Sequence, residues 1–457
     1  MNQSFDLIIL GAGPGGYKAA EAAARQGLSV AIVERGDVGG TCLNVGCIPT
    51  KALAHIAEQH LAARELCGEV PQRPFNDYLT TVTTQLRTGV ETLLSQPGIT
   101  LLRGEGAFID AHTVEVRTEG QETEECQILT APFIIVATGS ESKMIPVCRE
   151  ASHPLFDSTQ LLRDIAAIST CRSCCIIGAG VIGMEFTGIL AALGLKVNVV
   201  ELARECLPML DSDIAKRLRR SMEQHLGITF HMQSTVAKLE TGKAVIERRG
   251  KQTEVEADFT LMAVGRRPAV ADHFRLAGFN YDERCGIAVD DTWQTTVDGI
   301  YAIGDVNGRF QLAHAAEMQA EQVVATIAAR KRGEAPAMRQ DVPPVIPAAI
   351  FTHPEAACVG LSEDDCKAQG IDYVCGKAFM RANGRAVAMS ETDGMVKLLS
   401  RAENGEIIGC HAFGAQAAAI VQEVTALMHF HATTAQLRAI CHIHPTVMEV
   451  LRDAAGT

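Results

Sequence analysis

The chain has 457 residues, 47% of them hydrophobic and 21% charged, too long for one hydrophobic core and suited to a folded enzyme of roughly two to four domains. A formal charge of −13 with no long basic run argues against nucleic acid as the main partner, because phosphate binding needs clustered Lys and Arg. No stretch approaches the roughly 18 uninterrupted apolar residues of a membrane span.

The opening MNQSFDLIIL has no basic leader and no small-residue cleavage site, so a cytoplasmic location is expected, or an organellar one after loss of a leader. Fifteen scattered cysteines, an odd number, fit a reducing compartment.

FDLIIL reads as an apolar strand. It runs into Gly11, Gly13 and Gly16 of a Gly-x-Gly-x-x-Gly turn, then an Ala-rich helix and a second strand ending on Glu34, 23 positions after Gly11. The first glycine suits the tight turn, the second lets the backbone approach a pyrophosphate, and the third lets the helix pack close to the strand. The free N–H groups of the helix N-terminus then favour the anion, and the acid accepts a ribose hydroxyl.

Next comes GGTCLNVGCIPTKAL, with Cys42 and Cys47 separated by four residues. In regular helix, residues five apart stand about 7.5 Å apart along the axis, beyond the roughly 7 Å Cα limit for a disulfide. A bridge here needs a distorted turn. Gly39, Gly40 and Gly46 allow one, and Pro49 suits the first turn of the helix predicted from TKALAHIAEQHLAARE. At this point the pair reads equally as a reducible disulfide or as two thiols packed as small hydrophobes.

FIIVATGS, through Gly139, closes the first cofactor unit. CRSCC, Cys171 to Cys175, leads straight into another apolar strand, which makes packing a better reading than zinc. A second copy of the nucleotide plan follows, with Gly178, Gly180 and Gly183 leading to Glu201, again 23 positions on. Glu201 would repel the 2′-phosphate of NADP, so NAD is expected, although nearby Arg204 keeps NADP within reach.

FTLMAVGRRP ends this unit. GIYAIGDV then returns the chain to the first one, placing Asp305 beside flavin ribityl hydroxyls or on the cap of the following helix. RKRGEAPAMRQDVPPVIP, residues 330–347, reads as an exposed linker. In HIHPTVMEV, Pro445 suits the first position of a helix, with His444 at its mouth and Glu449 just over one turn in. An imidazole there is suited to general-base work, with the carboxylate fixing its tautomer. His442 completes a His-x-His pair, but no further metal ligands flank it at a recognisable spacing.

Two dinucleotide units and a cysteine pair form an electron path: nicotinamide carries hydride, a disulfide accepts two electrons, and a flavin mediates between them. The cysteines follow the first turn closely, so FAD is expected there and NAD at the second. The expected fold class is α/β, with two Rossmann-like dinucleotide-binding domains (FAD and NAD) and a C-terminal α+β domain, which family resemblance makes a dimerisation domain. The expected divisions are 1–144 and 269–340 for the FAD domain, 145–268 for the NAD domain and 341–457 for the dimerisation domain.

With these motifs, and with LAHAAE, IFTHPEAACVG and TDGMVKLL, the sequence resembles the pyridine nucleotide-disulfide oxidoreductases over nearly its whole length. Within them it is most similar to the branch that oxidises dihydrolipoamide. The resemblance implies a homodimer in which His444 and Glu449 of one subunit reach Cys42 of the other. It implies that Cys42 exchanges with substrate while Cys47 faces the flavin, and that Lys51 and Glu185 pair beside it, where the alternative is a weak surface ion pair. It further implies oxidation of protein-bound dihydrolipoamide to lipoamide through a Cys42–Cys47 disulfide and FAD, reducing NAD. The partner would be the lipoyl domain of a 2-oxoacid dehydrogenase, glycine-cleavage or acetoin system. Alternatives are another disulfide or metal-ion reductase of the family, or a flavin redox sensor without turnover. His314 and His353 read as structural histidines.

Overall fold

The LIIL of Leu7–Leu10 (β1) buries all four side chains, as a strand covered on both faces by a parallel layered fold requires. A computed structural model describes residues 2–67, 75–117, 126–335 and 345–456. Residues 336–344, which hold half of the expected linker and the division at 340, lie outside that set.

After β1 the chain forms helix α1, Pro14–Arg25, with proline in its first turn, and strand β2, Val30–Glu34. Two helices follow, Gly40–Val45 (α2) and Cys47–Cys67 (α3). Strands Ile99–Arg103 (β3) and Phe133–Val136 (β4) then join the first sheet. The second unit contains Leu155–Asp157 (β5), Ser173–Ile177 (β6), helix Val181–Ala192 (α4), Lys196–Glu201 (β7), helix Ser212–Leu226 (α5), Thr229–Met232 (β8) and Phe259–Met262 (β9). Strand Ile300–Ala302 (β10) leaves it and pairs with β4. Helix Ala313–Lys331 (α6) then packs along α1.

Both sheets are parallel and five-stranded, in the orders β10-β4-β1-β2-β3 and β5-β9-β6-β7-β8. Each glycine turn therefore leaves the central strand, where neighbouring connections diverge and a crevice opens at the strand ends. A two-strand ribbon, Ser140–Ser142 against Arg266–Pro268, carries the chain between the two units.

The last sheet is antiparallel. Its strands are Ala348–Ile350 (β11), Ala356–Gly360 (β12), Tyr373–Phe379 (β13), Met395–Arg401 (β14) and Ile407–Phe413 (β15), in the order β11-β12-β15-β14-β13. Helix Ala417–His429 covers it, burying Ile420, Val421 and Val424. Each such burial contributes about 1.5–3 kcal/mol, which makes the helix a fixed platform for the segment that follows. Among the described residues, no helix is long and apolar enough to cross a membrane.

Candidate active site

The two glycine turns are near copies at the atomic level. Gly11 has φ 100° and Gly178 φ 103°, and a Cβ on either would stand 2.4 Å from a backbone oxygen, that of Ala137 or Ala263. On Gly16 or Gly183 it would stand 1.9 Å from the carbonyl oxygen of the first glycine. The middle glycines differ: a Cβ on Gly13 meets nothing nearer than 3.9 Å, and one on Gly180 meets nothing within 4 Å. Their Cα hydrogens face open space, which fits a group that approaches the backbone from outside.

The acids close the turns from below. Glu34 accepts from the N–H groups of Ala12 and Gly36, both at 2.7 Å, and Glu201 accepts from Ala179 and Ala203, both at 2.7 Å. Each carboxylate therefore fixes the turn as well as offering its remaining lone pairs to a ribose.

The cysteines sit on two helices that meet at Gly46, whose φ of −144° and ψ of −117° break the helical path. This is the distorted turn that the spacing requires. Cys42 lies on α2, and Cys47 opens α3 with Pro49 in its first turn. Both are thiols here; Cys42 is half-buried and Cys47 exposed. Accessibility in the single chain thus runs opposite to the order expected from an outer Cys42.

The two sulfurs share a hydrogen bond. Donation from Cys42 is the largest influence on Cys47, whose pKa is pulled down to about 7 with help from the Lys51 ammonium and against the cost of burial. The same bond, together with burial, holds Cys42 well above the ordinary thiol range. One proton shared by the pair therefore leaves its charge on Cys47.

Lys51, one turn along α3, donates to both Glu185 oxygens, at 2.7 and 2.8 Å. Glu185 is buried, so the pair is not the exposed surface bridge that the sequence also allowed. The Phe351 N–H donates to Glu185 at 3.0 Å, and the Phe351 ring lies 4.8 Å from the Lys51 ammonium. Phe351 falls within IFTHPEAACVG, but nothing in that motif assigned it a partner. The pair thus joins the helix that begins at Cys47 to the helix that follows the second glycine turn.

Asp305 accepts from Ser140 Oγ at 2.5 Å, and burial raises its pKa. Arg266 holds Ser140 in turn, through Oγ at 2.7 Å and the carbonyl at 2.6 Å. Helix α6 is capped by Leu312, not by Asp305, which removes the capping alternative: Asp305 lies in a 3-10 turn, Gly304–Asn307, and seven residues separate it from the helix start at Ala313. Gly139, at φ 77° and with no atom within 4 Å of where a Cβ would stand, borders the same crevice. A carboxyl that accepts from one hydroxyl among the described side chains keeps lone pairs for a polyol chain such as ribityl, and the open middle glycines suit two pyrophosphates. The residues present fit FAD and NAD.

The C-terminal pair forms as expected: His444 Nδ1 lies 3.0 Å from Glu449 Oε1, leaving Nε2 free on a side chain that is 79% exposed. The backbone around it differs from the expectation. Pro445 follows a cis peptide bond, and the helical turn begins at Val447 with Thr446 as its cap. Thr446 wins because its N–H donates to Glu449 Oε2 at 3.0 Å in a capping box, a Thr-x-x-Glu signal present in the sequence.

His442 pairs with Glu423 at 3.0 Å, and His314 lies 2.8 Å from the Pro347 carbonyl. Cys174 and Cys175 are fully buried in β6, and burial raises both thiols, so CRSCC packs as expected. Within the single chain, no hydrogen bond or ion pair among the described residues connects His444 to either cysteine.

Residues 5–320 match the family described as pyridine nucleotide-disulphide oxidoreductase, and residues 346–455 match its dimerisation domain. A mitochondrial dihydrolipoyl dehydrogenase of Pisum sativum is 33% identical, with 98% of this chain and 90% of that protein covered. A leghemoglobin reductase of Glycine max is 32% identical, with 98% and 87% covered. Among solved structures, the Cu(II) complex of the HOCl-induced flavoprotein disulfide reductase RclA from Escherichia coli superposes with a TM-score of 0.86 at 26% identity, covering 100% of this chain and 99% of the other.

Proposed function

The chain belongs to the pyridine nucleotide-disulphide oxidoreductase family, and on that premise we propose that it is a dihydrolipoyl dehydrogenase. It is an oxidoreductase whose cofactors are FAD and NAD, and residues 346–455 are a dimerisation domain. In this reading the chain forms a cytoplasmic homodimer serving a lipoyl-bearing multienzyme complex. The observation that carries it is the cysteine pair at the Gly46 helix break, backed by the Lys51–Glu185 pair, in a chain that also holds the His444–Glu449 pair.

The first turn, Gly139 and Asp305 hold FAD, and the second turn with Glu201 holds NAD. Bound FAD supplies two-electron transfer between dithiol and nicotinamide. In the oxidised protein Cys42 and Cys47 are bridged. His444, from the partner subunit, takes a proton from one dihydrolipoyl thiol, and Glu449 fixes the tautomer that leaves Nε2 able to accept it. The resulting thiolate attacks Cys42 Sγ, breaking the bridge and releasing Cys47 as a thiolate beside Lys51. The second lipoyl sulfur then bonds to the first, whose bond to Cys42 breaks, and the proton it loses is taken up by the departing Cys42 thiolate. Lipoamide leaves as the disulfide, and both electrons remain on the cysteine pair.

The test is turnover of dihydrolipoamide against glutathione, with NAD and NADP in turn. Dihydrolipoamide with NAD is expected to lead, and Cys42→Ser to abolish it. Turnover surviving Cys42→Ser would refute the relay. A second reading, reduction of a small disulfide or a metal ion at the same cysteines, draws support from the likeness to RclA, solved with Cu(II). It predicts that nicotinamide-dependent reduction of glutathione disulfide or Cu(II) outpaces lipoamide turnover and survives His444→Gln.

A further inference from the structure

The 201–211 loop, from the last residue of β7 to the cap of α5, borders the second glycine turn and is bonded to it directly. Leu207 N–H donates to the Ala179 carbonyl at 2.9 Å, and Glu201 accepts from Ala179 and Ala203. The far end of the loop enters the antiparallel sheet of the third domain. Asp211 Oδ1 accepts from Lys397 Nζ of β14 at 2.6 Å, and Oδ2 accepts from the Glu363 N–H at 3.2 Å. The Asp211 N–H donates to His411 Nδ1 of β15 at 3.0 Å. Glu363 Oε2 also contacts Lys397, and Ser212 N–H donates to Asp364 at 3.0 Å. Between these ends Cys358 Sγ reaches the Met209 carbonyl at 3.7 Å.

Asp211, Lys397 and His411 are each 1% exposed. Burying an ammonium between two carboxylates costs desolvation that their attraction often only offsets, so holding two domains together does not by itself call for such a cluster. What charge and hydrogen bonding add over apolar packing is a fixed register, since only one placement of the Asp211 carboxylate and N–H satisfies Lys397, Glu363 and His411 together. Burial disfavours a charge on His411, and a neutral ring leaves Nδ1 free to accept from Asp211.

We propose that Asp211, Lys397 and His411 are positioning residues for the second nucleotide site: through them the third domain fixes the 201–211 loop and sets the affinity for NAD. The inference rests on reading that site as the NAD site. The same domain that brings two subunits together thereby also shapes nucleotide binding within each one.

The experiment uses the full-length FAD-loaded protein, measuring NAD binding by calorimetry and amide hydrogen exchange of residues 201–211 without nucleotide. Lys397→Met is expected to weaken NAD binding about tenfold, a typical coupling between sites, and to speed exchange in that loop. The alkylation rates of Cys42 and Cys47 should stay unchanged. His411→Phe removes the acceptor for Asp211 without stranding a charge, and it carries the same expectation should Lys397→Met fail to fold. Gly180→Val, which blocks the turn itself, separates the loop's role from the site assignment. If NAD binding survives Gly180→Val, the site assignment is wrong. If Gly180→Val abolishes binding while the Lys397 and His411 variants keep wild-type affinity and exchange, and lose only thermal stability, the inference is overturned.

Discussion

Cys47 owes its low pKa to two neighbours, Cys42 on the adjoining short helix and Lys51 one turn on, which together outweigh burial and the opposing charge of Glu185 from a remote part of the chain. In the reduced protein, thiol alkylation at Cys47 should follow a midpoint near pH 7, while Cys42 requires far more alkaline solution. Lys51→Met should raise the Cys47 midpoint by about one unit or more, since it removes the cation and leaves the Glu185 charge unbalanced. Rates measured by mass spectrometry across pH 5 to about 10 decide this, and an unchanged midpoint in Lys51→Met would remove Lys51 from the site. The cysteine pair itself was legible because a distorted turn can be read from three glycines and a proline. Which of the two carries the charge was not legible, because that depends on side chains up to 138 positions away.

The strand–turn–helix unit shows how a single glycine can serve folding or binding but not both. A Cβ at position 183 would collide with the Gly178 carbonyl oxygen at 1.9 Å, whereas one at 180 meets no atom of the chain within 4 Å. Gly183→Ala should therefore lower the denaturation midpoint markedly, with helix α4 pushed off β6. Gly180→Ala should leave that midpoint near wild type and weaken NAD binding at least tenfold, because the methyl occupies the face that the pyrophosphate approaches. Equal loss of stability in both variants would contradict this division. At the C-terminus, Pro445 suits a helix start by sequence, yet the element begins two residues later. Thr446 and Glu449 satisfy orphan N–H groups there, which a proline at the first position does not do.

At the scale of the whole molecule, His444 is exposed and shares no hydrogen bond or ion pair with either cysteine among the described residues, and the proposed relay therefore needs the acid–base group to act across a dimer. Co-expression of Cys42→Ser with His444→Gln chains provides the test. Each homodimer is inactive, but a mixed dimer assembled from both holds one site with Cys42 from one subunit and His444 from the other. Random assembly should restore about one quarter of wild-type lipoamide turnover, whereas a site completed within one chain restores none.

The clamp between the second and third domains also sets the response to acid. Burial opposes the charge on Glu363, but Lys397 overrides it and holds the carboxyl down at about 2, below its ordinary 4.5. A depressed carboxyl contributes its full stabilisation above the unfolded value and loses it as pH falls through the folded one. Unfolding followed in denaturant should thus show that contribution draining away between pH 4.5 and 2, with Glu363→Gln flattening the dependence. An identical acid dependence in wild type and Glu363→Gln would show the pair to be inconsequential.

Sequence alone determined the features set by near neighbours: two glycine turns with an acid 23 positions on, a helix break between two cysteines, and buried parallel strands. Backbone sterics and strand burial act over a few residues, so spacing is enough to reveal them. Tertiary structure alone decided the Phe351 N–H as a further partner of Glu185, the Arg266–Ser140–Asp305 chain and the meeting of Asp211 with Lys397 and His411, which lie 186 and 200 positions away. Those contacts exist because the chain's path brings remote segments to one buried place, and no local rule encodes which charge will find which.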